Sequence, residues 1–426
     1  MFTTVMKDGT TYKAWGTCKG DAIEGDCYFE SSDGVHWTRP KLDVVKLDGR
    51  ETNLLLTRPY QPWLRIAHVF RDPTADPAER YKMVRQGFMS PEEFERSEFR
   101  ERRPDDWETK AVGDQVRYIQ GGVSSDGIHW TMLPEPLVVE FCDNHITGEW
   151  DERLEQYVIY TRKWHANQRA AGIDLGNWKS AAKRAVGRTT STNFRRFPRS
   201  TVAMTSPSSM PPSHLLYANS KTTMPGAPDQ HVMFPTVWNI VKDATYIRLA
   251  TSPDNGIWEF APVRELFGTG GPGAWDDGAV FASPNLIELP NGDFALSYWG
   301  FDVLHKYPRG QYHFSPGYMI WPKGRMTAIE AKEDGEFSLA SVVLPGGRLL
   351  INASVEPGGE VRVEAEGVDG RTFKTCDPIT GDQFWTPVSW SGGDSLGLSK
   401  GDIVRLQFKL NKARIYGIEF DDREVD

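Results

Sequence analysis

Three acidic phrases in this 426-residue chain stand beside strand-like apolar runs. CDNHITGEW (142–150) carries Asp143, His145 and Glu149, PDQHVMFP (228–235) carries Asp229 and His231, and GAWDDGAVFASP (273–284) carries Trp275, Asp276 and Asp277. Two carboxyl groups in one cleft can do acid–base work: one protonates a leaving oxygen while the other attacks or activates water. The proton donor needs a raised pKa, which a desolvated aromatic pocket or a neighbouring carboxylate supplies.

Asp143 leads this set. It follows the apolar run LVVEF and is expected to open an inner strand, where alternation puts Asp143, His145 and Glu149 on one side. The competing reading is a turn-capping Asp. Two adjacent acids cannot both enter one pocket, so Asp277 is favoured over Asp276, against the plain alternative of an Asp-Asp-Gly turn. Asp229 is expected just before a fourth inner strand, with His231 two residues on. Glu149 is a candidate general acid, with an edge charge as its alternative. His68, in RIAHVF, is either a buried core histidine or a group for sugar hydroxyls. Arg65 is placed to pair a carboxylate, and Arg162, His305 and Trp275 are further binding candidates.

These residues need elements to position them. SSDGVHWT (31–38) recurs as SSDGIHWT (124–131), as a looser TSPDNGIW (251–258) and as a degenerate TTSTNFRRF (189–197). The starts lie 124 − 31 = 93, 189 − 124 = 65 and 251 − 189 = 62 residues apart. Such recurrence marks an array of repeated supersecondary units. Ser-Asp-Gly is turn chemistry, in which side-chain oxygens accept backbone amides and Gly takes positive φ. Each clear copy follows a β-rich run, so the unit reads as a four-stranded blade. Blades are expected to start at the N-terminus, near 66, near 143, near 231 and near 279. The charged stretch 89–115 is an insertion. Beyond residue 325 the runs FSLASVVL, RLLINASV, EVRVEAEG and DIVRLQFKL alternate apolar and polar residues, as in a compact antiparallel sandwich. The expected fold is therefore all-β: a five-bladed β-propeller over 1–325 and a small β-sandwich over 326–426.

Composition narrows the function. The net charge of 49 − 58 = −9 does not suit a broad nucleic-acid footprint. No apolar run reaches the ~20 residues that span a bilayer. The opening MFTTVMKDGTTYKAW lacks the basic and apolar parts of a secretory signal, so a soluble chain is expected. Four cysteines without a CxxC pair do not suggest zinc, and no metal ligands are assigned. Cys18 and Cys27 flank KGDAIEGD. A hairpin there would bring them together, but two free, half-buried thiols are the expectation. Aromatic residues are 12% of the chain, with 15 Trp, which suits both sheet packing and stacking on sugar rings.

The phrases SSDGVHWTRP, DPAERYKMV, DNHITGEWDERLEQYVIYTR and WDDGAVFASPNLI together resemble five-bladed propeller glycoside hydrolases of the fructofuranosidase and arabinofuranosidase kind. CDPITGDQFWTPVSWSGG is similar to the sandwich that follows such propellers. The fructofuranosidase signature Trp-Met-Asn-Asp-Pro-Asn is missing, and RDP at 71–73 is not in that family's context. The resemblance implies cleavage of a glycosidic bond in an oligo- or polysaccharide, with carboxylates on inner strands and no required cofactor. A structural cation in the central channel is compatible with it. Two other functions stay open: a sugar-binding propeller without catalysis, and a glycoside phosphorylase. The second needs an Arg, Lys or His cluster for phosphate, whereas the Arg-rich run 184–196 reads as an outer turn.

Overall fold

The computed structural model describes residues 2–19, 24–57, 66–98, 115–166, 182–306 and 313–421. The chain forms two compact units, residues 1–291 with 295–320, and residues 292–294 with 321–426. Both are built from antiparallel strands.

In the first unit, sheets follow one another along the chain. The first sheet orders Phe2–Asp8, Thr11–Lys19, Glu24–Ser31 and Leu54–Thr57. The second starts with Ile66–Arg71 and the third with Thr147–Asp151. A long hairpin from His214 to Asn239 follows, and the last sheet starts with Ala279–Glu288. The hairpin region is hydrogen-bonded as two sheets. One is His214–Ala218 with Thr236–Asn239 and Ala244–Ile247, and the other holds Lys221–Met224 and Ala227–Met233. Among the described residues the chain path thus makes five successive sheet regions, while the hydrogen-bonded sheets number six besides a two-stranded ribbon at 42–52.

The first strands of these regions touch in cyclic order. Val69 N donates to Thr4 Oγ1 at 2.9 Å, and His68 Nδ1 lies 2.9 Å from the Gly148 carbonyl oxygen. Thr147 Oγ1 donates to Asn219 Oδ1 at 3.0 Å and Ser220 Oγ to the Ala282 carbonyl at 2.7 Å. Val5 N, back on the first strand, donates to Asn285 Oδ1 of the last region at 3.2 Å. Inner strands in a ring, joined through side chains and not as one sheet, are the arrangement of a β-propeller.

The recurring phrase does what its residues suggest. Asp33 Oδ1 accepts the Val35 and His36 amides at 2.9 and 2.8 Å, and Asp126 Oδ1 accepts those of Ile128 and His129, each at 2.8 Å. Gly127 needs its φ of +81°. Its carbonyl accepts Trp15 Nε1 of the first sheet at 2.7 Å, which locks one sheet onto the next. In TSPDNGIW the equivalent position is Asn255, at φ +55°. Asn tolerates that region, and it brings a side-chain amide that Gly lacks.

Several expectations are corrected. The fourth inner strand is 214–224 and not 231–238, so Asp229 lies on the second strand of its sheet. The phrase HLLYANSKTTM is too polar to stand out, whereas HVMFPTVW shows an apolar run. Cys18 and Cys27 form a disulfide. They sit on paired strands, where Cys18 is in register with Gly25 and Gly16 with Cys27.

The second unit is antiparallel, as expected, but its four strands hydrogen-bond as one sheet, in the order Ile329–Val343, Ile403–Asp421, Arg348–Ala365, Asp382–Pro387. Three of them run 15 to 19 residues, beyond the ~5–6 usual for a strand. Register shifts between Val355 and Glu360, and between Ala331 and Asp334, interrupt them. Bulges bend strands, and residues on both sides of the Val355/Glu360 shift, Leu349 to Ala353 and Val361 to Ala365, enter one core with Phe408 and Trp390.

Candidate functional site

The ring of inner strands gathers the candidate residues into two groups, not one. Asp143 and His145 precede the strand Thr147–Asp151 instead of opening it, and Glu149 lies on it. Residues 143–146 are irregular and bend at Asn144, so alternation does not order Asp143 and His145 with Glu149. The two carboxylates share no partner: Asp143 is held by Arg162 and Arg184, and Glu149 by Lys221 and Asn255.

The group at the strand starts is built around Asp143. Its Oδ2 accepts Arg162 Nη1 at 2.5 Å and Arg184 Nη2 at 3.1 Å, and its Oδ1 accepts the Asn144 amide at 2.9 Å. Arg162 and Arg184 come from adjacent strands of the third sheet, Gln156–Ala166 and Ala182–Ser191, and are 7% and 6% exposed. Burial alone would raise the Asp143 carboxyl. The guanidiniums of Arg162 and then Arg184 outweigh it and hold the group well below the usual carboxylate range. Asp143 is thus fixed as an anion, fit for a base or nucleophile and unfit as the proton donor.

Aromatic rings stand beside this ion-paired carboxylate. The Arg184 guanidinium carbon lies 3.8 Å from the Tyr217 ring centroid. His145 stacks on Phe281 at 5.8 Å with an interplanar angle of 15°. His305 lies 4.5 Å from Tyr217 and 5.0 Å from Phe281. Burial, then the Lys306 charge, pushes the His305 imidazole down to about 3, so it is neutral near pH 7. Lys306 Nζ donates to the Tyr217 hydroxyl at 2.9 Å. Burial would raise the Tyr217 phenol, but Arg184, aided by Lys306, lowers it below its ordinary value.

The second group lines a cavity of about 520 Å³ that includes His68, Glu149, Asp151, Lys221, Asp229 and His231. Glu149, Asp151 and His231 bring donor atoms within 4.8 Å of one another, the one such three-residue set found among the described residues. Both carboxylates have partners inside the protein. Asn255 Nδ2 donates to Glu149 Oε1 and Asp151 Oδ2, both at 2.7 Å, and the Lys221 ammonium pairs with Glu149. Burial holds the Lys221 ammonium below its ordinary pKa, and burial with the Lys221 charge lowers His231. Both ring nitrogens of His231 are buried without a hydrogen-bond partner, and a cation held by this set would compete with the Asn255 amide for the two carboxylates. His68 is buried and neutral, pushed down to about 4 chiefly by burial.

The remaining candidates belong to neither group by any contact described. Asp277 Oδ2 accepts the Gly273 amide at 2.7 Å, which is turn chemistry, and Asp276 accepts the Tyr298 hydroxyl at 2.8 Å. Trp275 is 45% exposed and lies 5.6 Å from the Tyr298 ring. Arg65 lies outside the described residues. Sequence reasoning missed Arg184, Tyr217, Lys306, Lys221 and Asn255. Only Asn255 left a signal, as the Asn that replaces Gly in the repeated phrase. Arg184 begins the run read as an outer turn, yet it sits on a strand whose side chain reaches Asp143.

No family model matches the chain, and no curated protein matches it. Solved structures similar to it include an N-acetylgalactosamine deacetylase from F. plautii in complex with blood group B trisaccharide, at 14% identity and TM-score 0.46, covering 74% of this chain and 86% of that one. A thermostable family-43 glycoside hydrolase gives 13% identity and TM-score 0.45, covering 74% and 87%. An endo-arabinase from Bacteroides thetaiotaomicron gives 11% and 0.40, covering 75% and 94%. At these values the likeness carries no argument about chemistry, which rests on this chain's own residues.

Proposed function

We propose that this chain is a glycoside hydrolase acting on an oligo- or polysaccharide at the strand-start end of its first unit. The observation that carries this is Asp143, an ionised carboxylate held by two buried guanidiniums and bordered by the rings of His145, Tyr217, Phe281 and His305. Flat rings suit the apolar faces of sugars, and a fixed carboxylate suits attack on the anomeric carbon or activation of a water. Asp143 takes the base or nucleophile role. Glu149 and Asp229 line the other cavity, whose lining does not include Asp143, and take no part in this site. Tyr217 takes the proton-donor role, because it flanks the same guanidinium and its phenol is eased toward ionisation by Arg184.

The names of the similar structures, a family-43 glycoside hydrolase and an endo-arabinase among them, agree with glycoside chemistry. The test is hydrolysis of aryl furanosides, aryl pyranosides and natural oligosaccharides by wild type, Asp143→Asn and Tyr217→Phe, with and without phosphate. Loss of turnover by orders of magnitude in both variants is expected. Turnover unchanged in Asp143→Asn would remove the site assignment. Glycan binding without any turnover would make the protein a sugar-binding propeller.

A further inference from the structure

We infer that the Asp143 end of the ring binds an anionic oxyacid group, through Arg184 and Lys306; the inference rests on the site proposed above and names the class of substrate it takes. Four cations follow one another there. Arg117 and Arg162 flank Phe141, each guanidinium carbon 4.6 Å from the ring centroid. Both donate to the Cys142 carbonyl oxygen, at 3.3 and 2.7 Å. Arg162 and Arg184 share Asp143, and Arg184 and Lys306 share Tyr217.

Among the described residues, Asp143 is the one carboxylate in ion-pair contact with any of these four cations. A carbonyl, two ring faces and a phenol oxygen supply only partial charge. Arg162 and Arg184 are buried while Arg117 and Lys306 are half-buried, so two buried guanidiniums share one carboxylate. Buried unbalanced charge is costly, and an anion completes a site of this composition. Three buried ring or guanidinium nitrogens also stand without a hydrogen-bond partner: Nε of Arg162, Nε of Arg184, whose side chain is 6% exposed, and Nε2 of His305. Arg184 spends Nη2 on Asp143 and leaves Nε unused, so its guanidinium can separate the catalytic carboxylate from a second anion. The geometry of a guanidinium matches planar oxyacids, and an ammonium beside it suits phosphate as a point charge. By contrast, the cluster in the 520 Å³ cavity sets the two carboxylates of Glu149 and Asp151 against the one ammonium of Lys221 and calls for no anion.

Three sources share this chemistry: the carboxylate of a uronic acid, a phosphate or sulfate ester on the sugar, and free phosphate. Calorimetry on the full chain separates them, with galacturonate, glucuronate, glucose 6-phosphate, inorganic phosphate and sulfate set against galactose and glucose at constant ionic strength. At least one anion is expected to bind at least ~10-fold more tightly than the neutral sugars. Loss of a charge-assisted hydrogen bond in Lys306→Gln or Arg184→Gln should weaken it by about ten- to a hundredfold. Arg184→Lys should recover part of that loss, which distinguishes lost charge from misfolding. Tight binding confined to uronates identifies a uronide substrate, and tight binding confined to inorganic phosphate identifies phosphate itself as co-substrate. Equal affinity for neutral and anionic sugars, or anion affinity unchanged in both glutamine variants, overturns the inference. Turnover of neutral glycosides that dies in Asp143→Asn, without anion binding, sinks this inference alone. Anion binding without any glycoside turnover sinks the hydrolase reading alone.

Discussion

Asp143→Asn separates stability from catalysis. The carboxylate takes charged hydrogen bonds from Arg162 and Arg184, and the amide leaves both guanidiniums buried without their counter-charge. Removing one partner of a buried ion pair costs about 3–5 kcal/mol. The Asp143 side chain is 23% exposed, which places the expectation near the lower end, about 3 kcal/mol. Against a total stability of order 5–15 kcal/mol the variant still folds. Urea unfolding followed by tryptophan fluorescence should show the lower midpoint. The pH dependence has a definite sign. The folded carboxyl titrates below the unfolded one, so its stabilisation is fully present above an unfolded pKa of about 3.9 and fades as pH falls below it. The gap between wild type and variant should therefore be constant above about pH 5 and shrink below about pH 4. Adding Arg184→Gln should return part of the stability, because it removes an uncompensated cation, and none of the turnover. An Asp143→Asn protein with the wild-type urea midpoint and wild-type turnover would refute the reasoning.

Three further outcomes follow from the geometry. His68→Gln should flatten the acid side of the stability curve by about 1.4 kcal/mol per pH unit between pH 4 and 6.5, because the native ring resists a proton that the unfolded one accepts; thermal unfolding across that range checks it. Cys18→Ser should lower stability by about 2–3 kcal/mol, the loop-closure value for a separation of 9 residues, and dithiothreitol should match that loss in wild type but not in the variant. Asn255→Gly keeps the positive φ and deletes the amide that bridges Glu149 and Asp151, for a loss of about 1–3 kcal/mol in chemical unfolding, while Asn255→Ala should cost more because its Cβ strains that backbone.

The repeated turn was legible in the sequence because its chemistry is local. Ser, Asp and Gly within four residues bond their own backbone wherever the phrase occurs, so the array could be inferred before any contact was known. Strand alternation led to the expectation that Asp143, His145 and Glu149 share a face, but Asp143 and His145 precede the strand that holds Glu149. What alternation lacks is the strand boundary: a period of two residues holds only where the chain is extended, and it could not show that the strand begins at Thr147. The pairing of Cys18 with Cys27 depended on strand register, and the break of the fourth region into two sheets depended on an irregularity near Ala218. Arg184, Tyr217 and Lys306 carry no motif at all. They reach one place because three different sheet regions meet around the ring, and long-range proximity of that kind exists only in the folded chain.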